Sequence, residues 1–161
     1  MNNYINVHIG EVKIAKHGEI LKTILGSCVG IGFIWEEKGI CGLAHCLLPQ
    51  SPNKSYQIGA RFVDQAIPSL IALMKIKPED KKKIKVVIAG GSNMTNLTTQ
   101  NEDQLIGALN IKMAHSELKK NGLSASITEQ GTNQGKRLII DSKNFTYKIE
   151  TLPQIQQEPK G

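Results

Sequence analysis

The sequence predicts an α+β fold in which packed, mixed β-sheets are covered by two or three helices. Two stretches, close to residues 59–75 and 101–120, have the periodicity of helices. Short apolar or alternating runs, which are typical of strands, stand before and after each of them. About eight strands are expected, and most of them lie before the first helix or after the second. Strands grouped in this way favour α+β layering over strands that alternate with helices around a parallel sheet.

Composition supports one soluble domain. With 161 residues, of which 40% are hydrophobic, the chain is long enough to bury a sizeable core. We expect a single domain over residues 1–150 and a flexible Pro- and Gln-rich tail over residues 151–161. No apolar run approaches the ~20 residues of a membrane span, and no secretory signal is visible at the N-terminus. The three cysteines lack the spacing of a disulfide framework, so we expect a reduced, cytoplasmic protein without membrane insertion.

The net charge of +6 raises the question of a nucleic-acid partner. Much of the excess comes from two lysine clusters, at residues 81–83 and 119–120. No aromatic residues are interleaved with these clusters, and no known nucleic-acid-binding module is present. We therefore interpret the lysines as a solvated surface and expect no nucleic-acid partner.

The first half of the predicted sheets comes from four segments. Residues 4–14 alternate between apolar and polar side chains, which predicts one or two strands, and residues 20–25 form a further short strand. The apolar runs 29–35 and 40–48 predict two buried strands, and Pro49 ends the second. The short link over residues 36–39 predicts that these two strands lie side by side.

The middle of the chain predicts a loop, a helix and a strand. The Pro- and Ser-containing segment 49–55 is expected to be a loop at the rim of the site. A helix is expected from Tyr56 or Gly59 to Lys75, with Pro68 as the place where it kinks or breaks.

Residues 84–89 predict a strand, which ends at Gly90-Gly91. No phosphate-binding glycine pattern is present there. The two glycines therefore indicate a tight turn or a close backbone approach, which could lie beside the catalytic pocket.

The last third of the chain predicts a helix and three strands. Asn101 is a candidate N-cap, and the helix is expected to run to Lys120 before a terminating Gly122. The strand candidates are residues 124–129, 137–140 and 145–150, and the last two are expected to form a hairpin.

A thiol and an imidazole are the candidate catalytic groups. Cys28 follows the turn signal Gly26-Ser27 and directly precedes a buried strand, so backbone N–H groups of that turn could face a substrate oxygen. His45 lies within an apolar strand and needs a polar partner. An imidazole beside a thiol produces a thiolate nucleophile, so we predict a thiolate–imidazolium pair. The simpler alternatives are a small core cysteine and a hydrogen-bonded core histidine.

Two sequence blocks resemble a known family. Thr23-Ile-Leu-Gly-Ser-Cys28-Val and Gly42-Leu-Ala-His45-Cys-Leu-Leu-Pro49 are similar to the paired signature of the CheD family, the chemoreceptor glutamine deamidases of bacterial chemotaxis. Weaker similarity continues through residues 61–68 and 88–94, so that the resemblance extends from about Gly10 to Ile149.

The resemblance implies a mechanism and a set of roles. Cys28 would attack a receptor glutamine side chain, His45 would transfer the proton, and a thioester would be hydrolysed to glutamate. Gly26 and Ser27 would support the oxyanion turn, and no cofactor or metal is implied. Thr23 would orient the histidine. Some relatives have one more residue between these positions, which would place Lys22 there, but a lysine cannot accept a hydrogen bond from the ring.

The resemblance also implies partners, namely the cytoplasmic helices of chemoreceptors (methyl-accepting chemotaxis proteins) and a CheC-type phosphatase. Two segments depart from the family pattern. Gly107-Ala-Leu-Asn110 stands where relatives often have Gly-x-Arg-Asn, and residues 131–137 depart from a Gly-Gly-x-x-Gly-Arg pattern.

Two other functional classes remain open from the residues alone. The first is a metal site, since Cys28, Cys41, His45 and Cys46 all have ligand chemistry. Against it, Cys46 falls on the opposite strand face from Cys41 and His45, and no C-x-x-C pair exists. The second is a non-catalytic or weakly catalytic adaptation protein that acts by binding receptors and the phosphatase.

Overall fold

The computed structural model describes residues 3–53, 57–93 and 102–153 of the chain. These residues form nine strands, two α-helices and one 3-10 helix. The strands are β1 (Tyr4–Asn6), β2 (Val12–Lys16), β3 (Ile20–Leu25), β4 (Val29–Trp35), β5 (Ile40–Cys46), β6 (Lys85–Gly90), β7 (Ile127–Gln130), β8 (Lys136–Asp141) and β9 (Thr146–Thr151). The helices are α1 (Val63–Met74), the 3-10 helix (Pro78–Lys83) and α2 (Glu102–Lys120).

The strands form two mixed sheets. The four-stranded sheet has the order β1-β3-β8-β9, and the five-stranded sheet has the order β2-β5-β4-β6-β7. β1 and β3 run parallel, as do β6 and β7, whereas the other neighbours are antiparallel. The expected α+β fold with packed mixed sheets is therefore confirmed.

The five-stranded sheet is the central layer, because both of its faces are buried. On one face, Ile31 and Phe33 of β4 belong to a core that also contains Ile67 of α1 and Leu118 of α2. On the other face, Leu43 belongs to a second core with side chains of the four-stranded sheet, among them Leu21 and Leu138. Full burial stabilises each large aliphatic side chain by roughly 1.5–3 kcal/mol, so these two cores hold the three layers together.

The first helix starts later than the sequence predicts. Phe62 remains extended, with φ −116° and ψ 143°, and forms a parallel bridge with Leu48. The backbone N–H of Ala60 donates to the carbonyl of Gly10. Strand-like pairing therefore holds residues just before 63 out of the helix. The helix then continues through Pro68, so a break at that proline is wrong, whereas the alternative of a kink stays a prediction.

Most other predicted elements are confirmed to within a few residues. The predicted strands 20–25 and 29–35 coincide with β3 and β4, and β8 and β9 pair as the expected hairpin. The lysine cluster 81–83 lies in a 3-10 helix that the sequence did not predict. The Asn101 cap and residues 154–161 of the expected tail lie outside the described residues. The limits of the domain stay a prediction.

No helix in the described part of the chain is long and apolar enough to span a bilayer.

Candidate active site

The turn that carries Cys28 is tied down at three consecutive carbonyls. The carbonyl of Gly26 accepts a hydrogen bond from the backbone N–H of Ser92 at 2.9 Å, and the carbonyl of Cys28 accepts one from Gly91 at 2.9 Å. Between them, the carbonyl of Ser27 accepts one from the side-chain amide of Asn110 at 3.1 Å. The orientation of the peptides around the thiol is therefore fixed from outside the turn.

The Gly90-Gly91 segment packs directly against this turn, with no room for a side chain between the two backbones. Both glycines have positive φ angles, 109° and 67°, which residues with a side chain rarely adopt. A Cβ at Gly90 would clash with the carbonyl oxygen of Cys28, and a Cβ at Gly91 would lie 2.7 Å from the carbonyl of Gly107. The close backbone approach predicted for these glycines is confirmed, and its neighbour is the Cys28 turn.

Asn110 is a residue that the sequence reasoning did not assign to the site. It is fully buried in α2, and its Nδ2 donates to the carbonyls of both Ser27 and Leu47, each at 3.1 Å. Ser27 precedes the thiol, and Leu47 follows the strand that carries the imidazole. The only sequence signal was the position of Asn110 in the family-like Gly107-Ala-Leu-Asn110 block.

His45 is held by a short chain of hydrogen bonds. Its Nδ1 lies 2.7 Å from Oγ1 of Thr23 and 3.2 Å from the carbonyl of Val7. Thr23 Oγ1 itself donates to the same carbonyl at 2.6 Å. Thr23 and His45 are both buried, at 5% and 4% exposure, so these contacts are shielded from water.

These contacts determine which ring nitrogen carries the proton. The carbonyl of Val7 can only accept, and the hydroxyl of Thr23 uses its single proton on that carbonyl. Nδ1 must therefore carry a hydrogen, which it directs toward Thr23 Oγ1 and the carbonyl of Val7. Nε2 of the neutral ring is then the unprotonated nitrogen, and it is buried without a hydrogen-bond partner among the described residues. An imidazole held in this way can act as a base through Nε2.

Burial opposes charge on both candidate catalytic groups. It raises the pKa of the Cys28 thiol, although the backbone N–H of Cys28 itself partly offsets this rise. It also lowers the pKa of His45, against a smaller opposite effect of the Val7 carbonyl. A neutral thiol and a neutral imidazole follow for the resting protein at neutral pH. The predicted thiolate–imidazolium pair stays a prediction.

Comparison with known proteins assigns the chain to a family. The family model described as CheD chemotactic sensory transduction matches residues 47–151. A probable chemoreceptor glutamine deamidase CheD 2 of Ruegeria sp. (strain TM1040) is 36% identical, over 94% of this chain and 93% of its own. The chain belongs to the CheD family.

Two further relatives are also named CheD. Proteins named probable chemoreceptor glutamine deamidase CheD from Bdellovibrio bacteriovorus and Methanococcus maripaludis are 36% and 32% identical, over 92% and 91% of this chain and 94% of each relative. Among solved structures, the hypothetical protein YfiH of Bacillus licheniformis gives a TM-score of 0.42 at 15% identity, over 75% of this chain and 50% of that chain. That likeness is too distant to support a conclusion.

A cavity of about 580 Å³ adjoins the histidine of this CheD protein. Its walls include His45, Thr23, Lys22, Arg137 and the segment 6–9. The segment after Pro49 was expected to form the rim of the site, but Gln50, Ser51 and Pro52 instead line a second cavity against the two helices. None of these three residues lines the cavity beside His45.

The other candidate residues, Lys22, Cys41 and Cys46, do not hydrogen-bond the His45 ring. Lys22, the alternative to Thr23, has its Nζ 4.7 Å from the ring centre of Tyr4 and does not hydrogen-bond His45. Cys41 and Cys46 are both fully buried, and they belong to the two different cores on opposite faces of β5. Burial raises the pKa of the Cys41 thiol to about 12 and raises that of Cys46 as well, which favours the protonated form of both thiols at neutral pH.

Proposed function

We propose that this chain is a chemoreceptor glutamine deamidase, which converts specific glutamine side chains of chemoreceptor cytoplasmic helices to glutamate. The observation that carries the proposal is the 2.7 Å contact between Thr23 and Nδ1 of His45, which leaves Nε2 free as a base. It stands in a chain whose relatives, over more than nine-tenths of its length, are named probable chemoreceptor glutamine deamidases.

The proposed reaction begins with the neutral pair. His45 Nε2 takes the proton of Cys28 as the sulfur attacks the side-chain carbonyl carbon of glutamine. The carbonyl oxygen becomes an oxyanion beside the backbone N–H groups of the Gly26–Cys28 turn. His45 then returns the proton to the departing nitrogen, ammonia leaves, and a thioester to Cys28 remains. Water, deprotonated by the same nitrogen, hydrolyses the thioester to glutamate and restores the thiol.

Thr23 and Val7 contribute to both halves of this cycle. When Nε2 gains a proton, the ring becomes a cation whose Nδ1–H already faces two oxygen acceptors. Those acceptors stabilise the charged ring without any rearrangement. They also prevent rotation of the ring, so Nε2 keeps one direction through both proton transfers.

The proposed setting is the cytoplasm, where the receptor helices are exposed. The net charge of +6 would favour docking on an acidic receptor surface. A CheC-type phosphatase is the second proposed partner.

A second candidate function is a binding protein with little or no catalysis. The raised pKa of the Cys28 thiol favours it, because a neutral thiol is a weak nucleophile. Release of ammonia from purified receptor cytoplasmic domain separates the two functions, since a pure binding protein releases none.

The test of the proposed function is mass spectrometry of receptor cytoplasmic domains after incubation with this protein. We expect specific glutamines to become glutamate, and Cys28→Ala to abolish the conversion. Cys41→Ala is the matched control, because it removes a buried thiol of the same strand pair without touching the turn. Unchanged peptides from several receptors of the source organism would refute the proposal.

A further inference from the structure

The middle carbonyl of the nucleophile turn differs from its two neighbours. The carbonyls of Gly26 and Cys28 are each held by a backbone N–H, a donor that does not belong to any side chain. The carbonyl of Ser27 is held by the side chain of Asn110, which reaches it from α2. The peptide that joins Ser27 to Cys28 is therefore oriented by one specific side chain.

The orientation of that peptide decides where the N–H of Cys28 points. A trans peptide is planar, with its C=O and N–H directed to opposite sides. Because Asn110 fixes the Ser27 carbonyl toward α2, the Cys28 N–H must point away from α2. No carbonyl within the described part of the chain accepts a hydrogen bond from that N–H. Its interaction is with the sulfur of Cys28 itself, so it lies beside the reacting atom, where we expect a substrate oxygen to meet it.

The side-chain amide of Asn110 cannot exchange its nitrogen and oxygen positions without losing both hydrogen bonds. Both of its contacts are to carbonyl oxygens, which require an NH₂ group as the donor. With the amide reversed, an oxygen would face two oxygens in a buried place. The second contact, to the carbonyl of Leu47, joins the end of the histidine strand to the same amide.

The helix that carries Asn110 is itself held against the turn. Gly107 and Gly91 touch through their backbones, and a Cβ at Gly107 would lie only 2.7 Å from the carbonyl of Gly91. Gly107 lies one helical turn before Asn110 on the same face of α2. The position of the carboxamide relative to Cys28 is therefore set by direct backbone contact.

We infer that Asn110 is a positioning residue for the oxyanion site: it holds the Ser27–Cys28 peptide so that the N–H of Cys28 faces the oxygen of the reacting carbonyl. The inference rests on the proposed function in that Cys28 is taken as the nucleophile. It adds a residue of α2 to a site otherwise built from strands and turns.

Two reactions of the same thiol separate this role from simple support of the fold. Acylation of Cys28 by p-nitrophenyl acetate passes through a tetrahedral oxyanion, as sulfur bonds to the acetyl carbon and p-nitrophenolate leaves. Alkylation by iodoacetamide displaces iodide at a saturated carbon and forms no oxyanion. A defect in the oxyanion site slows acylation more than alkylation, whereas a misplaced or inaccessible thiol slows both.

The test compares Asn110→Asp and Asn110→Ala with the wild type in both reactions. Asn110→Asp keeps the shape of the side chain and replaces the NH₂ donor by an oxygen that repels the Ser27 carbonyl. Asn110→Ala only removes the hydrogen bond to that carbonyl. We expect acylation to fall by about 10²-fold in Asn110→Asp, the scale of losing one oxyanion donor, with a smaller loss in Asn110→Ala. The alkylation rate should change by no more than about twofold, which is far smaller than the expected loss in acylation rate.

The matched control is Asn121→Asp. Asn121 also donates its side-chain amide to a backbone carbonyl, that of Glu117 at 2.8 Å, just beyond the end of α2 and outside the site. Its substitution should leave both rates unchanged, and Cys28→Ala supplies the blank.

Several outcomes would overturn the inference. These are equal losses in acylation and alkylation, an unchanged acylation rate in both Asn110 variants, or a wild-type Cys28 that p-nitrophenyl acetate does not acylate. The proposed receptor function is judged separately. If the receptor assay fails while acylation shows the expected pattern, the substrate assignment is wrong and the role of Asn110 stands. On an accepted receptor substrate, Asn110→Asp should lower kcat by a similar factor and leave KM unchanged.

Discussion

At the scale of single residues, the proposed catalysis depends on the direction of one imidazole ring. Thr23 and the carbonyl of Val7 hold Nδ1, and Nε2 is left as the base. The pKa of the ring is lowered by burial, which keeps Nε2 unprotonated at neutral pH. In the proposed cycle, the base is therefore ready before substrate arrives.

Replacement of His45 by Ala should reduce deamidation by about 10²–10⁴-fold, the usual share of general acid–base catalysis. The substrate KM should change little, because the buried ring does not form the docking surface. The measurement is receptor conversion under saturating conditions. His115→Ala is the control, since that exposed histidine lies on α2 and contacts only Thr128 among the hydrogen bonds of the described residues. A His45→Ala protein with wild-type turnover would mean that His45 is only a core residue.

Thr23→Val should reduce turnover by less than His45→Ala does. It removes one short hydrogen bond to the ring but keeps the volume, and a bond of about 1–1.5 kcal/mol corresponds to roughly tenfold in rate. Thr128→Val is the matched control, because Thr128 Oγ1 also contacts a histidine, Nε2 of His115 at 3.2 Å, at the surface. Equal effects of the two substitutions on kcat would argue against an orienting role for Thr23.

At the scale of elements, the nucleophile turn is set by segments far from it in sequence. β6 delivers Gly90 and Gly91 to the turn, and α2 delivers Asn110. The sequence predicted the turn, both flanking strands and the close approach of the glycines, because each has a local signal. Asn110 has only its place in the family-like Gly107-Ala-Leu-Asn110 block, which does not show what it contacts, since the partners of a buried asparagine in a helix are not visible in the sequence. The late start of α1 was also invisible, because it follows from pairing with distant Gly10 and Leu48.

Gly90→Ala should be more damaging than Gly39→Ala, although both glycines have positive φ. A Cβ at Gly39 meets nothing within 4 Å, so only the backbone strain of about 1–2 kcal/mol applies. At Gly90 the Cβ would also push on the Cys28 carbonyl, and overpacking typically adds about 1–3 kcal/mol. Urea unfolding and Cys28 alkylation measure both effects. Similar unfolding midpoints and alkylation rates for the two variants would contradict the close contact.

At the scale of the whole molecule, two sheets and a helical layer bury the ionisable groups that set its pH range. The layer order could not be read from the sequence, since it depends on which strands pair, and β3 pairs with β8 more than a hundred residues away. The continuous apolar runs over residues 29–35 and 40–48 predict that β4 and β5 are buried, but they do not show which layer covers each face.

Burial predicts that stability falls at both ends of the pH range. The pKa of His45 is lowered in the folded state, so the unfolded chain binds an extra proton below about pH 6.5 and stability is lost as pH falls. The thiol pKa of Cys41 is raised to about 12, and those of Cys28 and Cys46 are raised too. The unfolded chain therefore loses these protons first above about pH 8.5, and stability is lost as pH rises.

Urea unfolding at about pH 5.5, 7.5 and 9.5, on either side of the two reference values, measures this dependence. Cys41→Ala should reduce the alkaline loss, to which Cys28 and Cys46 still contribute, and His45→Gln should flatten the acidic loss. Each variant leaves the other end of the profile as a control. A wild-type stability that stays level or rises from neutral to alkaline pH would contradict the burial of the thiols.

The most direct test of the central claim is to trap the covalent intermediate on receptor protein. Mixtures of this protein and a receptor cytoplasmic domain are quenched in acid within the first turnover and analysed by mass spectrometry. We predict an adduct in which Cys28 is joined to a receptor glutamine side chain with the loss of one ammonia, and which is absent in Cys28→Ala. Conversion of receptor glutamine by Cys28→Ala at the wild-type rate, or an adduct on a different residue, would contradict the account.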